Sequence, residues 1–292
     1  MKKDRKKLWA AIWVVSIVLV IAALSVLCTY LYKMYTAGHG YDNISSLVSD
    51  GSSSSSPTSS LMSESDTEVQ TDNKNNSSAA ASSSAKKVDA VNHGVNFTEL
   101  QKINTDIYAW IYIPNTNVDY PILQSADDDA FYLSHDYKKD YEFAGSIYTE
   151  KINKKDFSDP NTLVYGHNML NGSMFRTLHD FRKPEFFEQN PYIYVYLPDR
   201  TLTYEIFSAY EYDDRHIMYS FDFSDKEVYA EYLAYATNPT DSMMCNRRDI
   251  SVTTDDKIIT LSTCLGNIET SRYLVQGVLI SDEPATDTDK GK

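Results

Sequence analysis

Cysteine is scarce in this chain: Cys28, Cys245 and Cys264 are the three thiols among 292 residues. Cys28 falls in an apolar N-terminal run, Cys245 in a polar stretch and Cys264 after a β-branched run, which argues against a disulfide framework. Cys245 reads as a buried or incidental thiol, since no strand motif precedes it. Positive charge is also short. With 27 Lys and Arg against 41 Asp and Glu, the formal net charge is −14, and no nucleic-acid partner is expected. The excess acid reads as solvated surface, because Asp127-Asp128-Asp129 lacks the alternating ligands and glycine of a calcium loop. Metal-ligand spacing is missing as well, so neither a metal nor a cofactor is expected.

Charge is absent from Leu8 to Leu31, directly after Lys2, Lys3, Arg5, Lys6 and Lys7. As a helix this run would extend roughly 36 Å, enough for a bilayer core. A cleaved signal peptide is the alternative, but its apolar core is usually shorter and ends in a small-residue site. Residues 8–31 are therefore expected to be a single uncleaved membrane anchor. The basic cluster before it predicts a cytoplasmic segment 1–7 and an extracellular remainder. Aromatic residues are absent between Asp42 and Asn96, where runs of serine dominate. Residues 32–96 are accordingly read as a flexible extracellular tether. A coil of about 55 residues has a root-mean-square span of about 40 Å. A stalk modified by sugars is the alternative reading of the same serines.

What the chain does have is a reactive-looking constellation. Lys257 to Thr263 is a β-branched, apolar run that ends on Cys264, and Arg272 opens the next such run, Tyr273 to Ile280. Two adjacent strands joined by a short turn would bring Arg272 back beside Cys264. Taken alone, Cys264 reads as a small buried hydrophobe. A free thiol, with pKa near about 8.5, also needs a neighbouring base or cation to act as a nucleophile. His167 supplies a candidate: Asn161-Thr162-Leu163-Val164-Tyr165-Gly166-His167 is another short strand that ends in glycine and a polar side chain. His179 and His216 lack flanking motifs and read as surface or structural residues.

Strands are expected at Ala109–Ile113, Val118–Leu123, Ser146–Tyr148, Thr162–Tyr165, Tyr192–Leu197, Leu202–Tyr212, Ile258–Thr263 and Tyr273–Ser281. Helices are expected at Phe97–Thr105, Met174–Phe181 and Asp225–Thr237, the last with Val228, Tyr232 and Tyr235 as a packing stripe. Many short strands separated by turn residues make the domain mostly β and favour a barrel. A domain of about 190 residues can bury an adequate core.

Thr260 to Cys264 with downstream Arg272, and the upstream Val164-Tyr165-Gly166-His167-Asn168-Met169, together resemble a sortase, a cysteine transpeptidase of Gram-positive cell walls. Asp106 to Pro114, Val118 to Gln124, Phe131 to Asp136 and Ala144 to Tyr148 resemble the segments that precede the histidine in class B sortases. Asn171 to Phe175 and the insertion Ser224 to Asp256 also point to class B, since class A lacks a long helical insertion.

The resemblance implies a closed eight-stranded sortase-type β-barrel with inserted helices over residues 97–281, followed by a polar tail, 282–292. It implies a catalytic set of His167, Cys264 and Arg272, with Ser262 and Leu133 as substrate-binding candidates. A plain strand serine and a core leucine are the competing readings of the last two. Leu265 departs from the acidic residue that some class B members carry after the nucleophile. The implied activity is cleavage of a C-terminal sorting signal after Thr through a thioester. The implied partners are surface proteins that carry that signal and a peptidoglycan precursor amine of the lipid II type. A pilus-assembling sortase with a pilin lysine acceptor and an inactive sortase-like binding module are the alternatives.

Overall fold

The computed structural model describes residues 2–36, Tyr41, Ile44, 93–266 and 268–285. Most of the expected tether and most of the expected polar tail lie outside the described residues.

Eight strands close into a ring. β1 (Ile107–Tyr112) pairs antiparallel with β2 (Asp119–Leu123), which runs parallel to β3 (Ile147–Tyr148). β3 lies antiparallel to β4 (Asn161–Tyr165), and β4 runs parallel to β8 (Ile258–Leu265). β8 and β9 (Ile268–Pro284) form an antiparallel hairpin, and β9 pairs antiparallel with β6 (Arg200–Asp213). β6 pairs with β5 (Tyr192–Tyr196), and β5 returns to β1. Closure gives each of the eight a partner on both sides and answers the exposed-edge problem of a flat sheet. The expected eight strands are these eight. A two-residue strand that the sequence did not signal, β7 (Cys245–Asn246), adds to β6 at Ser208 and Ala209.

The helices depart more from expectation. α1 (Lys2–Thr36) contains Ile12–Lys33, a stretch long and apolar enough to cross a membrane. α2 (Phe97–Ile103) is capped by Asn96, whose side chain accepts from the Glu99 N–H at 3.1 Å. The helix expected at Met174–Phe181 is instead a 3-10 helix at Arg176–Arg182, entered through Met174 at a positive φ of 56°. A left-handed residue there cannot begin an α-helix. Two short helices, α3 (Pro184–Gln189) and α4 (Ile217–Ser220), were not expected.

α5 (Lys226–Ala236) begins on Asp225, which accepts from the Glu227 N–H at 2.8 Å. Its buried stripe is Tyr229, Tyr232, Leu233 and Ala236, a correction to the expected set: Tyr235 is exposed and Val228 only half-buried. The buried stripe covers Leu163, Tyr210 and Leu274 on β4, β6 and β9, making an outer apolar cluster beside the main core. Each such fully buried side chain contributes about 2 kcal/mol of transfer free energy. A polar thread runs beneath it. Tyr210 donates to Gln276 Oε1 at 2.9 Å, and Gln276 Nε2 donates to Tyr232 Oη at 2.7 Å and to Thr260 Oγ1 at 2.8 Å. Thr260 in turn donates to Asn161 Oδ1 at 2.8 Å. The insertion helix is thereby pinned to the strand that leads to Cys264.

Candidate active site

Strand registers, not local sequence, assemble the site. β4 and β8 run side by side with Tyr165 opposite Ser262, so both chains emerge at the same end of the barrel, one toward His167 and the other toward Cys264. On the other side of β8, Cys264 faces Arg272 across the hairpin. Paired residues in an antiparallel ladder present their side chains to the same face, so the guanidinium is brought beside the thiol. The register breaks immediately afterwards, with Leu265 facing Ile268, and the extra residues on β9 put the corner next to Cys264.

His167, Ser262, Cys264 and Arg272 line one cavity of about 220 Å³, together with Leu133, Tyr148, Tyr165, Gly166 and Thr263. All five residues expected at the site are therefore on its wall. Leu133 is 46 % exposed, which overturns the core reading of that residue. Ser262 is 6 % exposed and sits in the floor of the cavity. His167 Nε2 lies 2.8 Å from the Leu133 carbonyl; a carbonyl can only accept, so Nε2 donates to it and Nδ1 is the ring nitrogen left outside that bond. The Phe143 ring lies parallel to the imidazole with centroids 6.3 Å apart.

Two glycines make this geometry possible. Gly145 has φ +56°, and a Cβ there would come within 2.5 Å of the Leu133 carbonyl oxygen, the acceptor of His167. A Cβ on Gly166 would meet Ile147 at 2.5 Å and Phe175 at 2.7 Å. The first clash would displace the carbonyl that holds His167, and the second would displace the residue next to His167 in the chain.

Burial pushes the Tyr148 and Tyr165 phenols well above their ordinary value, so both stay neutral hydroxyls on the cavity wall. Tyr165 is 3.2 Å from His216 Nε2, and His216 is 2.6 Å from Glu150. Burial raises the Glu150 carboxyl, with His216 opposing. His216 is thus structural, holding the approach to α4 against the start of the loop after β3. A larger cavity of about 520 Å³ lies beyond Arg272 between β6 and α5, lined by Tyr212, Tyr235, Glu211 and Glu231, and contains no thiol or histidine.

The other cysteines differ from Cys264. Cys245 is buried, burial raises its thiol, and its Sγ faces the Arg182 carbonyl at 3.7 Å, which agrees with the buried reading. Cys28 lies in α1. Among the described residues no cluster of His, Cys, Asp and Glu is arranged to hold a metal ion. Contacts that the sequence did not disclose surround the Cys264 backbone: Asn168 and His179 both reach its carbonyl. Asn168 adjoins His167 in the chain and could have been suspected on that ground. His179 carries no local signal.

Residues 111–280 match the family model described as Sortase domain. The chain is 35 % identical over 185 residues to Sortase B of Listeria monocytogenes, covering 63 % of this chain and 73 % of the relative. It is 32 % identical over 168 residues to Sortase B of Staphylococcus aureus, covering 58 % and 67 %. Among solved structures, Clostridium perfringens sortase B superposes with a TM-score of 0.57 at 34 % identity, over 63 % of this chain and 99 % of that one. A Staphylococcus aureus sortase B–substrate complex superposes with a TM-score of 0.56 at 31 % identity, over 63 % and 83 %. The matched segment holds most of the closed barrel and the cavity where the thiol, the imidazole and the guanidinium meet, and the chain belongs to the sortase family, among the class B cysteine transpeptidases.

Proposed function

We propose that this transpeptidase cleaves a C-terminal sorting signal after its Thr and transfers the protein to a peptidoglycan precursor amine. Cys264 is the nucleophile, His167 the acid and base, and Arg272 the charge stabiliser. The observation that carries this reading is the placement of Arg272 directly across the β8–β9 hairpin from Cys264, with His167 on the same cavity wall.

The chemistry follows from those positions. Cys264 Sγ, as thiolate with its proton held on His167, attacks the Thr carbonyl carbon, and the developing oxyanion is met by the planar, permanently charged Arg272 fork. Collapse breaks the peptide bond, the departing nitrogen takes a proton from His167, and a thioester remains on Cys264. An incoming amine then attacks the thioester and gives a proton back to His167. A new amide forms and the thiolate is restored. Ser262 in the cavity floor and the exposed Leu133 at its rim are substrate contacts, the first by hydrogen bonding and the second by apolar packing.

The organisation of the chain suits a membrane-held substrate. α1 anchors the enzyme with its basic end in the cytoplasm, and residues 32–96 carry the catalytic domain, 97–281, outside, where sorting signals and wall precursors meet. Cys264→Ala should abolish both cleavage and transfer with the fold intact. Turnover of a sorting peptide at the wild-type rate in that variant would rule out the proposed chemistry.

A further inference from the structure

The carbonyl of Cys264 occupies an unusual place in the sheet. Two residues earlier, the Ser262 carbonyl accepts from the Gly166 N–H at 3.2 Å, the last backbone rung between β4 and β8. Carbonyls two apart on a strand point the same way, so the Cys264 carbonyl also faces the β4 side. But β4 ends at Tyr165, and no strand is left there to pair with it. Side chains take the missing rung. Asn168 Nδ2 donates to the Cys264 carbonyl at 2.9 Å, and His179 Nε2 lies 3.1 Å from the same oxygen.

The chemistry of the partners fixes both donors. Arg176 Nη1 donates to Asn168 Oδ1 at 3.0 Å, so the amide cannot be turned over without setting donor against donor. Arg182 donates to His179 Nδ1, so that nitrogen must be the acceptor and Nε2 must carry the proton. The His179 ring is stacked on Tyr273 with centroids 5.2 Å apart, and the Arg182 guanidinium lies over the same Tyr273 ring at 4.9 Å. Two arginine-backed donors thus converge on the nucleophile's own backbone from the segment that follows His167.

We propose that Asn168 and His179 are positioning residues for transpeptidation: by holding the Cys264 carbonyl where β4 has run out, they fix the end of β8 against the His167 segment and set the separation of thiol and imidazole. Asn168 is bonded to His167 through the main chain, so a displacement of one displaces the other. The proposal rests on Cys264 and His167 being the reacting pair. A loss of alignment at this place costs rate more than affinity, because the sorting-signal wall formed by Leu133, Ser262 and Arg272 does not include either donor.

The test is steady-state transpeptidation of a sorting peptide by the full-length chain in detergent, with thermal unfolding recorded for every variant. His179→Phe keeps a ring on Tyr273 but removes the donor, His179→Gln restores a donor near the Nε2 position, and Asn168→Ala removes the second donor independently. The expected result is kcat lower by about 10- to 100-fold in His179→Phe and Asn168→Ala, with KM within about threefold of wild type and most of kcat recovered in His179→Gln. If His179→Phe does not fold, Asn168→Ala decides on the same criterion. Wild-type kcat in folded His179→Phe and Asn168→Ala, or a His179→Gln variant as slow as His179→Phe, would overturn the proposal. Turnover surviving in Cys264→Ala would instead overturn the assignment of the reacting pair beneath it.

Discussion

At the scale of single residues, the proposed chemistry depends on one permanently charged fork. Arg272 is brought to the thiol by register rather than by sequence proximity, eight positions along the chain and directly across the hairpin. Arg272→Lys keeps the charge but loses the planar pair of donors, and an ammonium on a flexible stem does not reproduce it. A loss of kcat/KM of about 100-fold is expected, in line with removal of one oxyanion donor. Full activity in a peptide-cleavage assay would reduce Arg272 to a surface charge.

His179 makes a second residue-scale prediction, on stability. Burial lowers its pKa to about 4, Arg182 and Arg176 add to the effect, and the Cys264 carbonyl and Asp180 oppose it. In the unfolded chain the same imidazole titrates near about 6.5. Between those values the unfolded chain binds a proton that the folded one does not, so this residue lowers stability as pH falls from about 6.5 toward 4. His179→Gln should flatten that part of the stability–pH curve, as measured by thermal unfolding at several pH values. An unchanged slope would mean that burial does not lower the His179 pKa in the folded enzyme.

At the scale of elements, α5 and the strand that ends in Cys264 share one buried hydrogen-bond thread through Gln276. Gln276→Leu removes the acceptor of Tyr210 and the donor to Tyr232 and Thr260 in one change. Because buried polar groups left without partners cost their full desolvation, a destabilisation of about 2–4 kcal/mol is expected by denaturant unfolding. A change below about 0.5 kcal/mol, the scale of a surface substitution, would show that the thread does not hold α5 in place.

The barrel strands were legible in the sequence because each is a β-branched or aromatic run bounded by turn residues. Their ends moved by up to a few residues because pairing, not composition, sets them. The start of β9 shows this: Arg272 is set by Cys264 and Tyr212, Ser271 by Asp213, and Ile268 by Leu265, with the residues between bulged from β8. The 3-10 helix at Arg176–Arg182 read as an α-helix because its apolar spacing fits either, and the positive φ of Met174 has no sequence signature in a methionine. Pro184 at the first turn of α3 was an available signal. β7 offered none, since two residues pair with β6 only through the way the insertion returns.

At the scale of the whole molecule, the three residues of the proposed reactive set were visible as strand-end motifs, and the resemblance placed them in one family before their geometry was known. What sequence did not show is the scaffolding behind them. The Leu133 carbonyl accepts from His167 because Gly145 lets two loops touch, and the Cys264 carbonyl is held from a segment about 90 residues earlier. Such contacts depend on the closed ring of strands, and no local pattern encodes them.

On the proposed mechanism, Cys264 carries the acyl group between the two halves of the reaction. The most direct test is intact-mass spectrometry of the full-length chain in detergent, incubated with sorting-type peptides of the Leu-Pro-X-Thr-Gly, Asn-Pro-X-Thr-X and Ser-Pro-X-Thr-Gly kinds, with and without an amine acceptor. The expected result is an adduct equal to the peptide up to its Thr, located on Cys264 and cleared when the amine is added. A folded enzyme that converts one of these peptides while the adduct maps to another residue, or with no dependence on Cys264, would contradict it.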